Sequence, residues 1–190
     1  MNEPSLARTD RELFDVLTSP SRILDYPPNS RAYGRIDVSL RAYWHSTFDI
    51  CPELLELSGP DGMTIFAPFM EWAREQGVRF TWSYYLWLYR WLRQSVFRDR
   101  LGDELLISLM GASAARWAIR DRGAAHGLAI GCAATPTFVV GWKCRSLSAG
   151  RQVELVELDQ PIAVGDAFFG FFTTPGSEIA EFPGWRSLPL

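Results

Sequence analysis

Cys51 is the residue with the clearest potential for chemistry, because the sequence places it where a helix is predicted to begin. In the stretch STFDICPELLEL the cysteine directly precedes Pro52, and proline is favoured at the first position of a helix. A thiol at a helix N-terminus lies at the positive end of the helix dipole, which can lower its pKa. Two interpretations follow, a nucleophilic thiolate or a small buried hydrophobic residue.

His126 is the candidate base for such a nucleophile. It opens the run HGLAIG, which predicts a strand. A cysteine on a helix followed by a histidine on a sheet is similar to the order in papain-like thiol hydrolases, in which the histidine is the base. The resemblance implies a cysteine-dependent hydrolase that uses Cys51 and His126. Gln152 and Glu154, on a later predicted strand, are the first residues after the histidine that could orient it.

Arginine and aromatic residues are the candidates for binding. Of 19 basic residues 18 are arginine, and the chain has eight Trp, twelve Phe and six Tyr. Trp, Tyr and Arg contribute most to interface hot spots, and planar guanidinium groups suit stacking and bidentate pairing, although a GC-rich genome would also favour arginine. The predicted binding residues are Trp87, Arg90, Arg93, Arg116 and Arg120.

The basic charge is concentrated in residues 74–122. This segment holds nine arginines and five acids, whereas the whole chain has a formal charge of −3. A basic face can attract phosphates or an acidic partner. Nucleic-acid binding through this segment is therefore one alternative, but neither helix-turn-helix spacing nor an RNP-like strand is present to favour it.

The sequence carries no pattern typical of a metal or cofactor site. Three cysteines without a C-x-x-C pair and two histidines do not have the spacing of a zinc site. The glycine-rich phosphate-binding motifs and G-x-S-x-G do not occur. Glu154 and Glu157 fall on opposite faces of a strand and cannot form a simple dyad there. We therefore predict no metal and no cofactor.

Composition is typical of a soluble intracellular protein. The opening residues MNEPSLARTDRELF lack the apolar core of a secretory signal, and unpaired free thiols suit a reducing compartment. The most apolar segment, residues 81–102, is interrupted by arginines and too short to span a bilayer. We expect a cytoplasmic protein without a membrane partner.

Helices dominate the predicted elements that position these residues. Residues 84–92 are apolar or aromatic except Arg90, which predicts a helix buried on nearly all sides. Residues 103–123 predict a second helix that forms a hairpin with it, with Gly111 allowing close approach to the rings of the first. The segment 35–44 alternates apolar and polar residues, which predicts one early strand.

The C-terminal third predicts strands. Four short runs, HGLAIG, PTFVVGWKC, RQVELVEL and DAFFGFF, are separated by Gly, Pro and Ser signals, which is typical of an antiparallel meander. The predicted fold class is α+β, one domain of residues 1–190. Its parts are a helical part at about 1–123 that includes the strand 35–44, a β-meander at about 126–173 and an irregular tail at 174–190.

The leading hypothesis from sequence is a non-enzymatic protein-interaction or self-assembly module of accessory or immunity type. Aromatic excess, arginine preference and missing catalytic motifs favour it. Its partner would be another protein or a second copy. The thiol hydrolase and the nucleic-acid binder are the alternatives.

Overall fold

The computed structural model describes residues 12–143, 152–160, 162–164 and 167–188. The chain divides into two compact units, unit 1 (Met1–Arg79) and unit 2 (Phe80–Leu190). The part of unit 1 that the structure describes is helical, and the described part of unit 2 combines helices with an antiparallel sheet. The α+β prediction is confirmed, and a single domain stays a prediction. In the described part of the chain, no helix has the length and apolar character needed to cross a membrane.

The described elements have the following bounds. The helices are α1 (Arg31–Phe48), α2 (Glu53–Ser58), α3 (Met63–Glu75), α4 (Tyr84–Leu92) and α5 (Asp103–Arg120). Residues 12–18 are also helical, and 3₁₀ turns span Ser21–Asp25 and Arg98–Arg100. The strands are β1 (Gly127–Cys132), β2 (Thr137–Trp142), β3 (Val153–Glu157), β4 (Phe169–Thr174) and β5 (Arg186–Ser187).

The predicted early strand at 35–44 is wrong, because these residues lie inside α1. The hydroxyl oxygen of Ser30 accepts a hydrogen bond from a first-turn backbone N–H at 3.1 Å, which caps the helix start. Ile36 and Leu40 are buried, as the alternation suggested, but their spacing of four also fits a helix. Val38 would share their face in a strand, yet its side chain is 67% exposed.

The helical pair of unit 2 follows the sequence pattern. Every residue of α4 is buried except Arg90, which is exposed, and Trp91, which is half-buried. This helix ends at Leu92, and Gly102 caps the start of α5. The two helices pack against each other, so the predicted buried hairpin is confirmed.

Close approach in unit 2 occurs between α5 and the sheet rather than at Gly111. A Cβ atom at Gly111 would meet nothing within 4 Å. A Cβ atom at Gly141 of β2 would lie 2.4 Å from the carbonyl oxygen of Ala114 in α5. Glycine at position 141 therefore lets the helix backbone pack directly on the strand.

The sheet is antiparallel, with strand order β3-β2-β1-β4-β5 in the described residues. β1, β2 and β3 form the predicted meander, but β4 returns to pair with β1 instead of β3. Phe169 is thereby brought opposite Cys132. The predicted irregular tail contributes the short strand β5, whose Arg186 pairs with Phe171.

Candidate functional site

Arg90 and Arg93, two of the predicted binding residues, line one pocket in unit 2. The pocket has a volume of about 360 Å³. Arg90 lies in the last turn of α4 and Arg93 caps that helix, and residues three apart share a helix face. Phe168 and Phe169, at the start of β4, form a facing wall. We call this site, which Gln94 and Leu188 also line, the arginine pocket.

Aromatic rings hold the guanidinium group of Arg93 by its flat face. The centre of this group lies 3.7 Å from the ring centroid of Phe168. That ring stacks on Tyr89 with centroids 6.0 Å apart and meets Phe169 edge to face at 4.8 Å. A cation over a ring face is attracted by the ring quadrupole. Because the contact uses the face of the guanidinium group, the N–H donors in its plane point away from the ring.

Arg90 is supported in a similar way. Its guanidinium group lies 5.0 Å from the ring of Trp87. Trp87 is only 2% exposed, so the predicted binding residue Trp87 supports Arg90 from within unit 2. The two exposed arginines thus lie against aromatic side chains, the buried Trp87 and the half-buried Phe168.

The pocket has a net positive charge among its described residues. In the described part of unit 2, Arg98 forms an ion pair with Asp99 and Lys143 forms one with Asp121. Neither of them involves Arg90 or Arg93. An anion entering the pocket would therefore meet two guanidinium groups without displacing a described carboxylate.

Two titratable groups next to the pocket do not offset this charge. Burial raises the pKa of the Cys132 thiol to about 11 despite the nearby Arg93 guanidinium, which lowers it. Burial, with a smaller contribution from Cys132, also raises the pKa of Tyr89, and Arg93 opposes this shift. Both groups are neutral at pH 7. Asp103 is a carboxylate close enough to raise both pKa values, but it does not line the pocket.

Arg116 and Arg120, the other predicted binding arginines, do not line this pocket. The guanidinium group of Arg116 lies 3.5 Å over the ring of Phe80 and donates a hydrogen bond to its carbonyl oxygen at 3.0 Å. Burial, and then the neighbouring Arg120, lower the pKa of Arg116. Arg120 is exposed at the end of α5. Of the predicted binding arginines, Arg90 and Arg93 therefore line the pocket, whereas Arg116 and Arg120 lie on α5.

Cys51 does not have the environment of a reactive thiolate. Its side chain is 0% exposed, and burial, with a contribution from Glu53, raises the pKa of the thiol to about 12. The following helix α2 has only six residues. Because the nucleophile interpretation requires a lowered pKa, the structure favours the other interpretation, a small buried hydrophobic residue.

His126 belongs to unit 2, whereas Cys51 belongs to unit 1. The backbone of His126 pairs with Thr174 and Lys143 at 2.8 and 2.9 Å. Glu154, one candidate for orienting the histidine, instead accepts a hydrogen bond from Nε1 of Trp142 at 3.0 Å. His126 therefore lies directly before the central strand β1, and Glu154 lies on the outer strand β3.

The arginines of 74–122 do not present a uniform row of donors. Arg74 pairs with Glu71, Arg98 pairs with Asp99, and Arg116 packs on a ring. Within the described residues, no three His, Cys, Asp or Glu side chains are grouped so that they could hold a metal ion.

The sequence did not reveal the aromatic half of the arginine pocket. Phe168 and Phe169 were part of a predicted strand, DAFFGFF, and Gln94 and Leu188 carried no signal. The density of rings in that run was the available clue, since a strand of this length rarely needs so many large aromatic groups for its own packing.

One protein family matches this chain. The family model described as methanobactin biosynthesis cassette protein MbnC-like matches residues 23–189. The match extends through unit 1 from its first 3₁₀ turn and includes all residues that line the arginine pocket. No curated protein matches the chain.

Proposed function

Because the chain belongs to the MbnC-like family, we propose that it is a non-catalytic accessory protein of a biosynthesis cassette. In this proposal it binds another protein of the same cassette through the arginine pocket of unit 2. The family description supports a role beside biosynthetic enzymes. The observation that carries the proposal is the pair of exposed, ring-supported arginines around a pocket of about 360 Å³.

The proposal follows from what this arrangement can do chemically. Guanidinium groups that are stacked on rings are pre-positioned, so less side-chain freedom is lost when a partner binds. Arginine and large aromatic residues are also the side chains that dominate binding energy at interfaces. Arg90, Arg93 and Phe168 combine both properties on one surface.

A protein partner is favoured over nucleic acid by the charge of the chain. The formal net charge is −3, which opposes nonspecific attraction to phosphate backbones. The arginines of 74–122 are also divided between ion pairs, ring contacts and the pocket. Cytoplasmic location and self-association stay predictions.

The experiment is to purify the chain with each protein encoded in its cassette and to measure complex formation by size-exclusion chromatography with light scattering. We expect one partner to form a stoichiometric complex. The double variant Arg90→Gln/Arg93→Gln should weaken that complex at least tenfold, since each charged contact in a desolvated interface contributes about 1.5–3 kcal/mol.

The matched control is Arg98→Gln/Arg122→Gln, which removes the same charge from two exposed positions outside the pocket. This control should leave the affinity within about twofold, because exposed ion pairs contribute little. The proposal is wrong if no cassette protein forms a complex, or if both double variants weaken it equally.

A further inference from the structure

We infer that the arginine pocket receives the carboxylate of an Asp or Glu side chain that stands next to an apolar residue in the partner polypeptide. This inference rests on the proposed function and specifies the chemistry of the partner. The directions of the donors, the apolar wall and the size of the pocket support it.

The donors of the pocket favour a carboxylate. The face of the Arg93 guanidinium is covered by Phe168 at 3.7 Å, so its N–H groups are presented edge-on. A planar carboxylate pairs with such an edge through two parallel hydrogen bonds. Arg90, three residues earlier on the same face, adds a second positive charge within the same pocket. Gln94 adds an amide that can both donate to and accept from a peptide backbone.

The remaining wall favours an apolar neighbour to that carboxylate. Phe168 and Phe169 meet edge to face with centroids 4.8 Å apart, and Leu188 adds an aliphatic side chain to the lining of the pocket. A fully hydrated small anion would leave these rings exposed to water. A polypeptide with an apolar residue beside its acidic residue would cover them, which is favourable by the area removed from water.

The size of the pocket limits how much of the partner can enter. A volume of about 360 Å³ is near the lower end of the range of roughly 300–1,000 Å³ for small-molecule sites. The pocket therefore suits an anchor of one or two side chains rather than a whole helix. The rest of the partner would contact the surrounding surface of unit 2.

Blocked dipeptide amides test the chemistry directly on the intact chain. The probes are acetyl-Asp-Phe-amide, acetyl-Asn-Phe-amide, acetyl-Asp-Gly-amide, sodium acetate and inorganic phosphate, and binding is measured by ligand-detected NMR at low salt. We expect acetyl-Asp-Phe-amide to bind about tenfold more tightly than its Asn counterpart, because the charge-assisted pair is lost in the latter. It should also bind more tightly than the Gly probe and than either small anion.

Two variants assign the binding to the pocket. Arg90→Gln/Arg93→Gln should abolish the preference for the Asp probe over the Asn probe, and Arg98→Gln/Arg122→Gln should retain it. Arg93→Lys keeps the charge but loses the planar fork, so it should reduce that preference without abolishing it. Circular dichroism confirms that each variant is folded before its binding is compared.

The outcomes separate this inference from the proposed function. If the cassette complex depends on Arg90 and Arg93 but the Asp and Asn probes bind equally, the inference is wrong and the proposed function stands. Tighter binding of phosphate or acetate than of the Asp-Phe probe also overturns the inference, in favour of a free anion. If the Asp-Phe probe binds through the pocket with the expected preference but no cassette protein forms a complex, the proposed function is wrong and the inferred carboxylate chemistry of the pocket stands.

Discussion

The arginines of the two units are held in different ways. In the described part of unit 1 three arginines form ion pairs with nearby carboxylates: Arg22 with Asp25, Arg41 with Asp37, and Arg74 with Glu71. In the described part of unit 2 four guanidinium groups lie over aromatic rings: Arg90 over Trp87, Arg93 over Phe168, Arg116 over Phe80, and Arg186 over Phe171. An ion pair uses the edge of the guanidinium group, whereas a ring uses its face.

This difference indicates where a partner can bind. An arginine whose edge is already paired has its charge neutralised within the chain, as for Arg22, Arg41 and Arg74. An arginine that is held by its face keeps in-plane donors for an external acceptor. Arg93 has that arrangement at the surface, with the exposed Arg90 in the same pocket, whereas Arg116 uses a donor for the Phe80 carbonyl oxygen. The comparison therefore selects the arginine pocket among the basic sites described.

The largest expected effect tests the scaffold that carries the rings of unit 2. Gly141→Ala should destabilise the protein by about 2 kcal/mol, because overpacking usually costs about 1–3 kcal/mol and the new Cβ atom would meet a backbone oxygen at 2.4 Å. The free energy of unfolding is measured by denaturant titration with tryptophan fluorescence.

Gly111→Ala in α5 is the matched control. A Cβ atom there meets nothing within 4 Å, so alanine should stabilise the helix by up to about 1 kcal/mol through its higher helix propensity. Equal changes in unfolding free energy for Gly141→Ala and Gly111→Ala would show that α5 does not pack directly on β2. That result would contradict the rigid support assumed for the aromatic rings of unit 2.

Replacing arginine by lysine compares the two kinds of arginine directly. Arg116→Lys should cost about 1–2 kcal/mol, because lysine cannot stack its charge flat on Phe80 while donating to the Phe80 carbonyl oxygen. Arg41→Lys should cost less than about 0.5 kcal/mol, since its ion pair with Asp37 is largely exposed. Thermal denaturation of both variants measures the loss of stability. A larger loss for Arg41→Lys than for Arg116→Lys would contradict the expected difference between ion-paired and ring-supported arginines.

The stability of unit 1 should depend on pH through the Glu71 carboxylate. Burial alone would raise the pKa of Glu71, but hydrogen bonds from Ser19, Ser21 and Arg74 lower it to about 2. The stabilisation from this carboxylate is therefore complete above its ordinary pKa of 4.5 and is lost as the pH falls through about 2.

Glu71→Gln measures this contribution. At pH 7 the variant should be less stable than the wild type by on the order of 1 kcal/mol, through weakened hydrogen bonds to the former carboxylate. The difference in unfolding free energy between the two proteins should shrink between pH 4.5 and 2. A difference that stays constant over this range would show that the Glu71 charge does not stabilise unit 1.

The smallest expected effect concerns the two buried thiols, one in each unit. Cys51 and Cys132 are both 0% exposed, and burial raises their pKa values to about 12 and 11. In a Cys144→Ser background, neither thiol should react with iodoacetamide at pH 8 until denaturant is added, as peptide mass spectrometry would show. Rapid alkylation of Cys51 in the native protein would instead support the thiolate interpretation.

The sequence predicted elements where one pattern dominates. Residues 84–92 are apolar on every face but one, which only a buried helix accommodates, and Gly77 stops α3 with a left-handed φ of 68°. The segment 35–44 misled because Ile36 and Leu40 satisfy both a period of two and a spacing of four. The N-cap at Ser30 was the signal that could have decided between strand and helix.

Only the helical side of the arginine pocket was predictable from the sequence. Arg90 and Arg93 could be paired from their spacing on a helix, a local property of the chain. Phe168 reaches them only because β4 pairs with β1, and antiparallel runs of similar composition do not specify which strand they join. The burial of Cys51, which the structure shows, could not be predicted for a related reason, since burial depends on the tertiary packing of unit 1 and not on the local helix start.

The most direct test of the account is an NMR titration that observes each arginine Nε–H group of the intact protein as acetyl-Asp-Phe-amide is added. The account predicts that the Nε–H signals of Arg90 and Arg93 shift together and saturate, while those of Arg22, Arg41 and Arg74 do not move. Equal shifts across both units, or none at Arg90 and Arg93, would contradict the claim that ring-supported arginines form the binding site.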